Sequence, residues 1–254
     1  VEKINGEAYL GEQLNEATSV LKGKEGTNVK VTVLRDGKEI DLDITRKKIT
    51  VDHVASKMLD NQIAYIQIDS FDSGVKKTFE EQITQLKNDG AKGIIIDLRS
   101  NGGGIVDEAT GIAELFVKKG ETILITKGKT EEEEITKSTK NPIIKDIPVV
   151  ILVNEGTASA SEILAGALKD KYPNTTIVGM QTYGKGVIQT VYNFSDGSGL
   201  KVTTEEYFTP NHDKINKVGI TPDTEVKLDS EWENISNIPY ENDTQLQEAV
   251  KELK

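Results

Sequence analysis

Cysteine is missing altogether from the 254 residues. Its absence removes disulfides, thiol catalysis and thiolate-ligated zinc together. Histidine is nearly missing: His53 and His212 are the only two, and neither stands in an HExxH helix. A histidine-based metal site or triad therefore has little to build on. No apolar run approaches the roughly 18 residues that read as a membrane-spanning helix. Positive charge is outweighed, with 31 Lys and Arg against 42 Asp and Glu and a net charge of −11. Phosphate recognition needs clustered cations, so nucleic acid is not an expected partner. What is present, 36% hydrophobic residues, suffices for a packed core. The length fits one large domain, or a core with a smaller unit attached.

Residues 1–47 read as that smaller unit. Asn5-Gly6 signals a turn,. Leu14, Ala17, Val20 and Leu21 share one face of a helix over 13–21,. Val29 to Val33 alternates as a half-buried strand, Asp36-Gly37 turns, and Glu39 to Ile44 alternates again,. Residues 48–60 read as a connector. Beyond them the pattern is α/β, with strands alternating with helices and implying a layered core. "IAYIQI" is a strand and 75–86 an amphipathic helix. "GIIIDL" and "PVVILV" are continuous apolar strands, buried on both faces,. Residues 121–127 and 133–137 suggest an exposed hairpin, and 244–253 a final helix.

Three segments can carry chemistry. In "NEGTASASEILAGALKD" (154–170) a buried strand runs through a tight turn into a helix. Ser159 or Ser161 then lies near the helix N-terminus, where N–H groups stabilise negative charge. Helix capping by serine is the plainer account of the same residues. In "DLRSNGGG" (97–104) three glycines free the backbone to present N–H groups to a ligand,. A flexible strand-to-helix loop explains them as well. In "GMQTYGKGVIQ" (179–189) Lys185 stands between two glycines before a strand. Gln189 is four residues on, a spacing that shares a strand face and brings an amide near the amine.

The third segment also fits GxxxxGK, most of a phosphate-binding loop. Position 186 is glycine, where such a loop needs Ser or Thr for the metal,. A strand follows it where a helix N-terminus has to meet the phosphates. The nucleotide reading fails on both counts.

Taken together, these segments resemble the carboxyl-terminal processing proteases, the tail-specific serine proteases of peptidase family S41. "DLRSNGGG", "EATGIAELFV", "VILVNEGTASASEILAGALKD", "IVGMQTYGKGVIQT", "LKVTTEEYFTP" and "VGITPDTEV" occur in the family's order. The wording "TNVKVTVLRDGKEIDLDITR" resembles the second half of a PDZ domain. The resemblance implies a fold: a crotonase-like layered α/β protease core over 48–254, with a partial PDZ segment over 1–47. It implies Ser159 as nucleophile, Lys185 as general base and Gln189 as support for the lysine. It implies oxyanion donors at the backbone N–H of Ala160 and of Gly103, with Gly104 as alternative. Two departures stand out: Thr157 replaces the family's first serine, and Gly102 replaces the proline before its glycine pair.

The implied chemistry is acyl transfer through a Ser–Lys dyad, with no metal or organic cofactor. A free lysine has a pKa of about 10.4, so this use requires the amine to be desolvated. The resemblance further implies protein or peptide substrates with unstructured C-terminal tails, a homodimer and an extracytoplasmic location. Two other readings stay open: a proteolytically latent or inactive peptide-binding relative, and a crotonase-like acyl-CoA enzyme.

Overall fold

The first elements follow from short-range pattern. Lys3–Ile4 (β1) and Glu7–Ala8 (β2) flank the Asn5-Gly6 turn, and Leu14–Leu21 forms helix α1. Asn28–Arg35 (β3) and Lys38–Thr45 (β4) close around Asp36-Gly37 in antiparallel register, with Val31 opposite Leu42. The sheet order is β2-β1-β3-β4. Ile4, Val29 and Val31 are buried, and Ala17, Val20 and Leu21 of α1 pack on them. Arg46 ends α1: its guanidinium donates to the carbonyls of Val20 (2.8 Å) and Leu21 (2.9 Å). A cation there answers orphan carbonyls and the negative end of the helix dipole.

This computed structural model describes residues 1–48, 51–129, 132–232 and 238–253. The chain forms two compact units, Val1–Val51 and Asp52–Lys254.

The second unit begins with Val54–Leu59 (β5) and Ile63–Ile68 (β6), then Val75–Asn88 (α2), Gly93–Asp97 (β7) and Val106–Ala113 (α3). Next come Thr122–Lys127 (β8), Glu133–Lys137 (β9), Val149–Val153 (β10), Ala160–Lys171 (α4) and Thr175–Gly179 (β11). Val187–Asn193 (β12), Gly199–Phe208 (β13), Thr224–Glu225 (β14) and Thr244–Glu252 (α5) complete it. One sheet has the order β14-β11-β10-β7-β6-β5, and a second, antiparallel one β12-β13-β8-β9. In the first sheet every pairing is parallel except β5 with β6.

The continuous apolar strands are explained by their two covered faces. Ile94, Ile96, Ile151 and Val153 point into a core shared with Phe79 and Ile83 of α2, Ile112 of α3 and Leu164 and Leu168 of α4. Their neighbours Ile95, Val150 and Leu152 point the other way, onto Leu246, Ala249 and Val250 of α5. The layered α/β architecture is the expected one. Helix α4 is buried all round from Ala160 to Leu168.

Two expectations are corrected. Residues 48–60 are not only a connector, because β5 pairs along the whole of β6. An edge strand has a single neighbour, and in "VASKML" only Val54 is buried. The segment 121–127 is not exposed. Ile123, Leu124 and Ile125 of β8 are buried, and only β9 faces solvent.

Candidate active site

Strands β7 and β10 run side by side, so the loops after them meet. Thr157 Oγ1 donates to the Leu98 carbonyl at 2.8 Å, and Ala158 N–H to the Asn101 carbonyl at 3.0 Å. Asn154 Oδ1 accepts the Ser100 N–H at 2.7 Å. Thr157 is fully buried and its hydroxyl holds the two loops together, so the Ser-to-Thr departure keeps a donor in place. Beneath the loops, the Arg99 guanidinium meets Asp97 at 2.6 Å and Asp243, the residue before α5, at 2.8 Å. Burial works to lower the pKa of that guanidinium, but the two carboxylates outweigh it and hold it above its ordinary value,.

Ser159 and Ser161 part company here. Ser161 is fully buried, and its hydroxyl donates to the Asn101 carbonyl at 3.0 Å. Ser159 is half-buried and sits immediately before α4 with φ 57° and ψ −117°. A positive φ at a non-glycine residue costs roughly 1–3 kcal/mol and persists only where surrounding contacts impose it. Ala160 opens α4, and its N–H has no intrahelical partner. The two glycines also differ from Gly102. A Cβ on Gly103 (φ 98°) would lie 2.8 Å from Ser159 Cβ and 2.9 Å from Ala160 N. A Cβ on Gly104 (φ 146°) would lie 2.5 Å from the Phe71 carbonyl oxygen. A Cβ on Gly102 would meet nothing within 4 Å, so this site does not require glycine.

The Gly103 N–H donates to Asn101 Oδ1 at 2.9 Å. The Gly104 N–H has no hydrogen-bond partner among the described residues. Two backbone bonds fasten this loop to the segment after β6: Phe71 N–H to the Gly103 carbonyl, and Ile105 N–H to the Phe71 carbonyl.

Lys185 comes from a different part of the chain, the loop between β11 and β12. Its flanking glycines make room for the 215–219 loop: a Cβ on Gly186 would lie 2.2 Å from Asn216 N, and one on Gly184 (φ 81°) 2.9 Å from Gly219 N. Strand β12 follows, as the rejection of a phosphate loop requires. The structure adds a residue to which the sequence reading gave no role. Glu162, fully buried in the first turn of α4, has four donors on its carboxylate. Oε2 accepts the N–H of Ser159 (2.8 Å) and of Lys185 (2.9 Å). Oε1 accepts the Gly184 N–H (2.7 Å) and the Thr182 hydroxyl (2.5 Å). One carboxylate thus joins the backbones at Ser159 and Lys185.

The side chains are not joined. Ser159 Oγ and Lys185 Nζ make no hydrogen bond to each other, and Gln189, exposed on β12, makes none to Lys185. The spacing argument for Gln189 needed Lys185 inside the strand, which starts only at Val187. The histidines are engaged elsewhere, His53 with Asp72 at 2.9 Å and His212 with Glu133 at 3.1 Å.

Fold and site define a class: a layered α/β protein with a strained serine, a glycine-rich amide loop and a glycine-flanked lysine brought to one cluster. Comparison with known proteins narrows it. Residues 62–226 match the model of peptidase family S41. The chain is 39% identical over 94% of its length to the carboxy-terminal processing protease CtpA of Bacillus subtilis (strain 168), covering 50% of that protein. It is 36% identical over its full length to a "Probable CtpA-like serine protease" of Staphylococcus haemolyticus (strain JCSC1435), covering 51% of it. Among solved structures, the photosystem II D1 C-terminal processing protease is 31% identical, with a TM-score of 0.66 over 95% of this chain and 65% of that one. The chain belongs to peptidase family S41 and spans about half the length of the curated relatives it matches.

Proposed function

We propose that this chain carries the catalytic core of a serine endopeptidase that cuts peptide bonds near the C-termini of protein substrates. Lys185, as the neutral amine, takes the proton from Ser159 Oγ, and the oxygen attacks the scissile carbonyl carbon. The oxyanion is met by the N–H of Ala160 and by one N–H of the glycine loop. That donor is Gly104, whose N–H has no partner among the described residues, or Gly103 once Asn101 releases it. Collapse breaks the C–N bond, and the Lys185 ammonium returns its proton to the leaving amine. Water, deprotonated by Lys185, then clears the acyl-enzyme. Gln189 enters the scheme as an orienting amide for the lysine. Ser–Lys variants of the serine mechanism recur on unrelated folds.

The observation that carries this reading is the Glu162 carboxylate, which fixes the Ser159 and Lys185 peptides at 2.8 and 2.9 Å from one oxygen. The test is cleavage of casein by this chain, Ser159→Ala and Lys185→Ala. Loss of cleavage in both, with unchanged circular dichroism, supports the dyad. Cleavage surviving in Ser159→Ala removes the nucleophile.

The open Ser159–Lys185 side-chain contact favours a second reading, a latent state of the same enzyme. Catalytic hydrogen bonds often tighten only when substrate binds. A chain inert alone but active once fused to a complete PDZ domain would establish latency.

Residues 1–47 are proposed as part of a PDZ domain and 48–254 as the protease core. Such a domain would take a substrate tail as an added strand. A homodimer and an extracytoplasmic site of action are proposed from the family resemblance, and the lack of cysteine is compatible with the latter.

A further inference from the structure

Tyr207 is the largest fully buried side chain of the described residues, 1% exposed. It lies on β13, the strand that carries the family-like "LKVTTEEYFTP", for which the sequence suggested no chemical role. Its backbone N–H donates to the Gly186 carbonyl at 3.0 Å. Its hydroxyl reaches two carbonyl oxygens, of Lys185 at 2.7 Å and of Ser159 at 3.0 Å.

Those two carbonyls belong to the two residues assigned to the chemistry. A phenol has one proton to donate, and here it is shared between both. Buried phenols normally find a partner, so one hydrogen bond would be unremarkable. A single hydroxyl bridging residues 159 and 185 is more than satisfaction of a polar atom. It adds to the hold on the Ser159 carbonyl, which also accepts the N–H groups of Glu162 at 2.9 Å and Ile163 at 3.0 Å, and so to the hold on the peptide plane between Ser159 and Ala160. That plane also carries the Ala160 N–H proposed for the oxyanion. It also holds the Lys185 carbonyl, while Glu162 holds the Lys185 N–H. The positive φ of Ser159 needs such external constraint.

The geometry points to Tyr207 as a positioning residue of the Ser–Lys site, whose hydroxyl sets the register between Ser159, the Ala160 amide and Lys185. The inference rests on the proposed roles of Ser159 and Lys185. Tyr207 touches no reacting atom and transfers no proton. Its contribution is alignment, and misplacement of about 1 Å costs up to roughly a hundredfold in rate.

The test compares the parent chain with Tyr207→Phe, and with 4-aminophenylalanine at 207, which restores an N–H donor at the same place. The measurements are kcat and KM on a quenched-fluorescence peptide, with thermal denaturation as the fold control. Tyr207→Phe is expected to lower kcat by roughly ten- to a hundredfold, with KM changed less than about threefold. The amino variant is expected to recover most of the loss. A merely structural hydroxyl predicts lower thermal stability with unchanged kcat, and that result overturns the inference. So does a kcat loss that the folded amino variant does not recover. Ser159→Ala and Lys185→Ala run beside them: cleavage surviving there sinks the Ser–Lys reading itself, independently of Tyr207. Should the parent chain prove inert, amide hydrogen exchange over 181–189 replaces kcat. Exchange at least tenfold faster in Tyr207→Phe, reversed in the amino variant, supports the tie, and unchanged exchange overturns it.

Discussion

Glu162 and Tyr207 grip the same two residues with opposite chemistry. Glu162 Oε2 accepts the N–H groups of Ser159 and Lys185, and the Tyr207 hydroxyl donates to the carbonyls of those residues. Burial first, and then the Glu162 charge, push the Tyr207 phenol well above its ordinary range,. The phenol therefore keeps its proton through neutral pH and remains a donor. The grip is electrostatically consistent: the carboxylate that organises the N–H side also keeps the carbonyl side protonated.

Replacing Glu162 by Gln tests the N–H half. The amide has nearly the shape of the carboxylate but loses the charge and presents NH2 where an oxygen accepted. At least one pair of buried donors loses its acceptor. An unsatisfied buried group costs about 1–3 kcal/mol, so Glu162→Gln is expected to lower unfolding free energy by about 2–4 kcal/mol. Its urea midpoint should fall accordingly, and cleavage should fall by more than about a hundredfold. A variant with wild-type stability and activity would show that the four contacts are incidental.

The glycine loop yields a contrast between neighbours. Gly103→Ala places a Cβ within 3 Å of Ala158 O, Ser159 Cβ and Ala160 N, at a φ of 98°. Strain of roughly 1–3 kcal/mol is expected, with a loss of activity out of proportion to the loss of stability, because the displaced atoms belong to the site. Gly102→Ala meets nothing and should leave activity within about twofold. Paired measurements of urea midpoint and kcat/KM check both, and equal effects at the two positions would contradict the geometry.

Which parts were legible beforehand follows from where the information lies. The strands β7 and β10 announce themselves because both faces are covered and "GIIID" and "VVILV" carry no polar alternation. Lys185 stood out by its two flanking glycines before a strand, and the structure supplies their reason, the close approach of the 215–219 loop,. Edge strand β5 was not legible, since one neighbour and a solvated face leave little pattern. Glu162 was invisible for a sharper reason. Glutamate is rarely buried, and three of its four donors come from Thr182, Gly184 and Lys185, at least 20 positions away. Only the packing of α4 beneath that loop brings them together.

Ser161 offers a control on the choice of nucleophile. Its hydroxyl is buried and committed to the Asn101 carbonyl, which also accepts the Ala158 N–H. Ser161→Ala therefore leaves the carbonyl partly satisfied and should cost only about 0.5–1.5 kcal/mol, with cleavage retained. Ser159→Ala should abolish cleavage and covalent labelling by a fluorophosphonate while leaving the urea midpoint almost unchanged. Labelling that survives in Ser159→Ala and vanishes in Ser161→Ala would transfer the role.

Alkaline pH separates two desolvated phenols, one half-buried and one buried, from the rest of the protein. Tyr65 and Tyr207 both have their pKa raised above the ordinary 10.0, chiefly by burial, with Asp97 and Glu162 respectively adding to it. A raised pKa means that the folded chain holds the proton more tightly than the unfolded one. The associated stability is fully present below about pH 10. Above it the unfolded chain ionises while the native phenols do not, so the native state is progressively disfavoured. The slope is about 1.4 kcal/mol per pH unit for each such group. Unfolding free energy from urea titrations should therefore fall steeply between pH 10 and 12, and Tyr207→Phe should remove one group's share of that slope. Absorbance at 295 nm should show the two phenols ionising only as the protein unfolds. A stability that stays flat from pH 9 to 12, or smooth titration of every tyrosine in the folded state, would mean that the hydroxyl of Tyr207 is open to solvent. The tie between Ser159 and Lys185 would then lack the dry surroundings it needs.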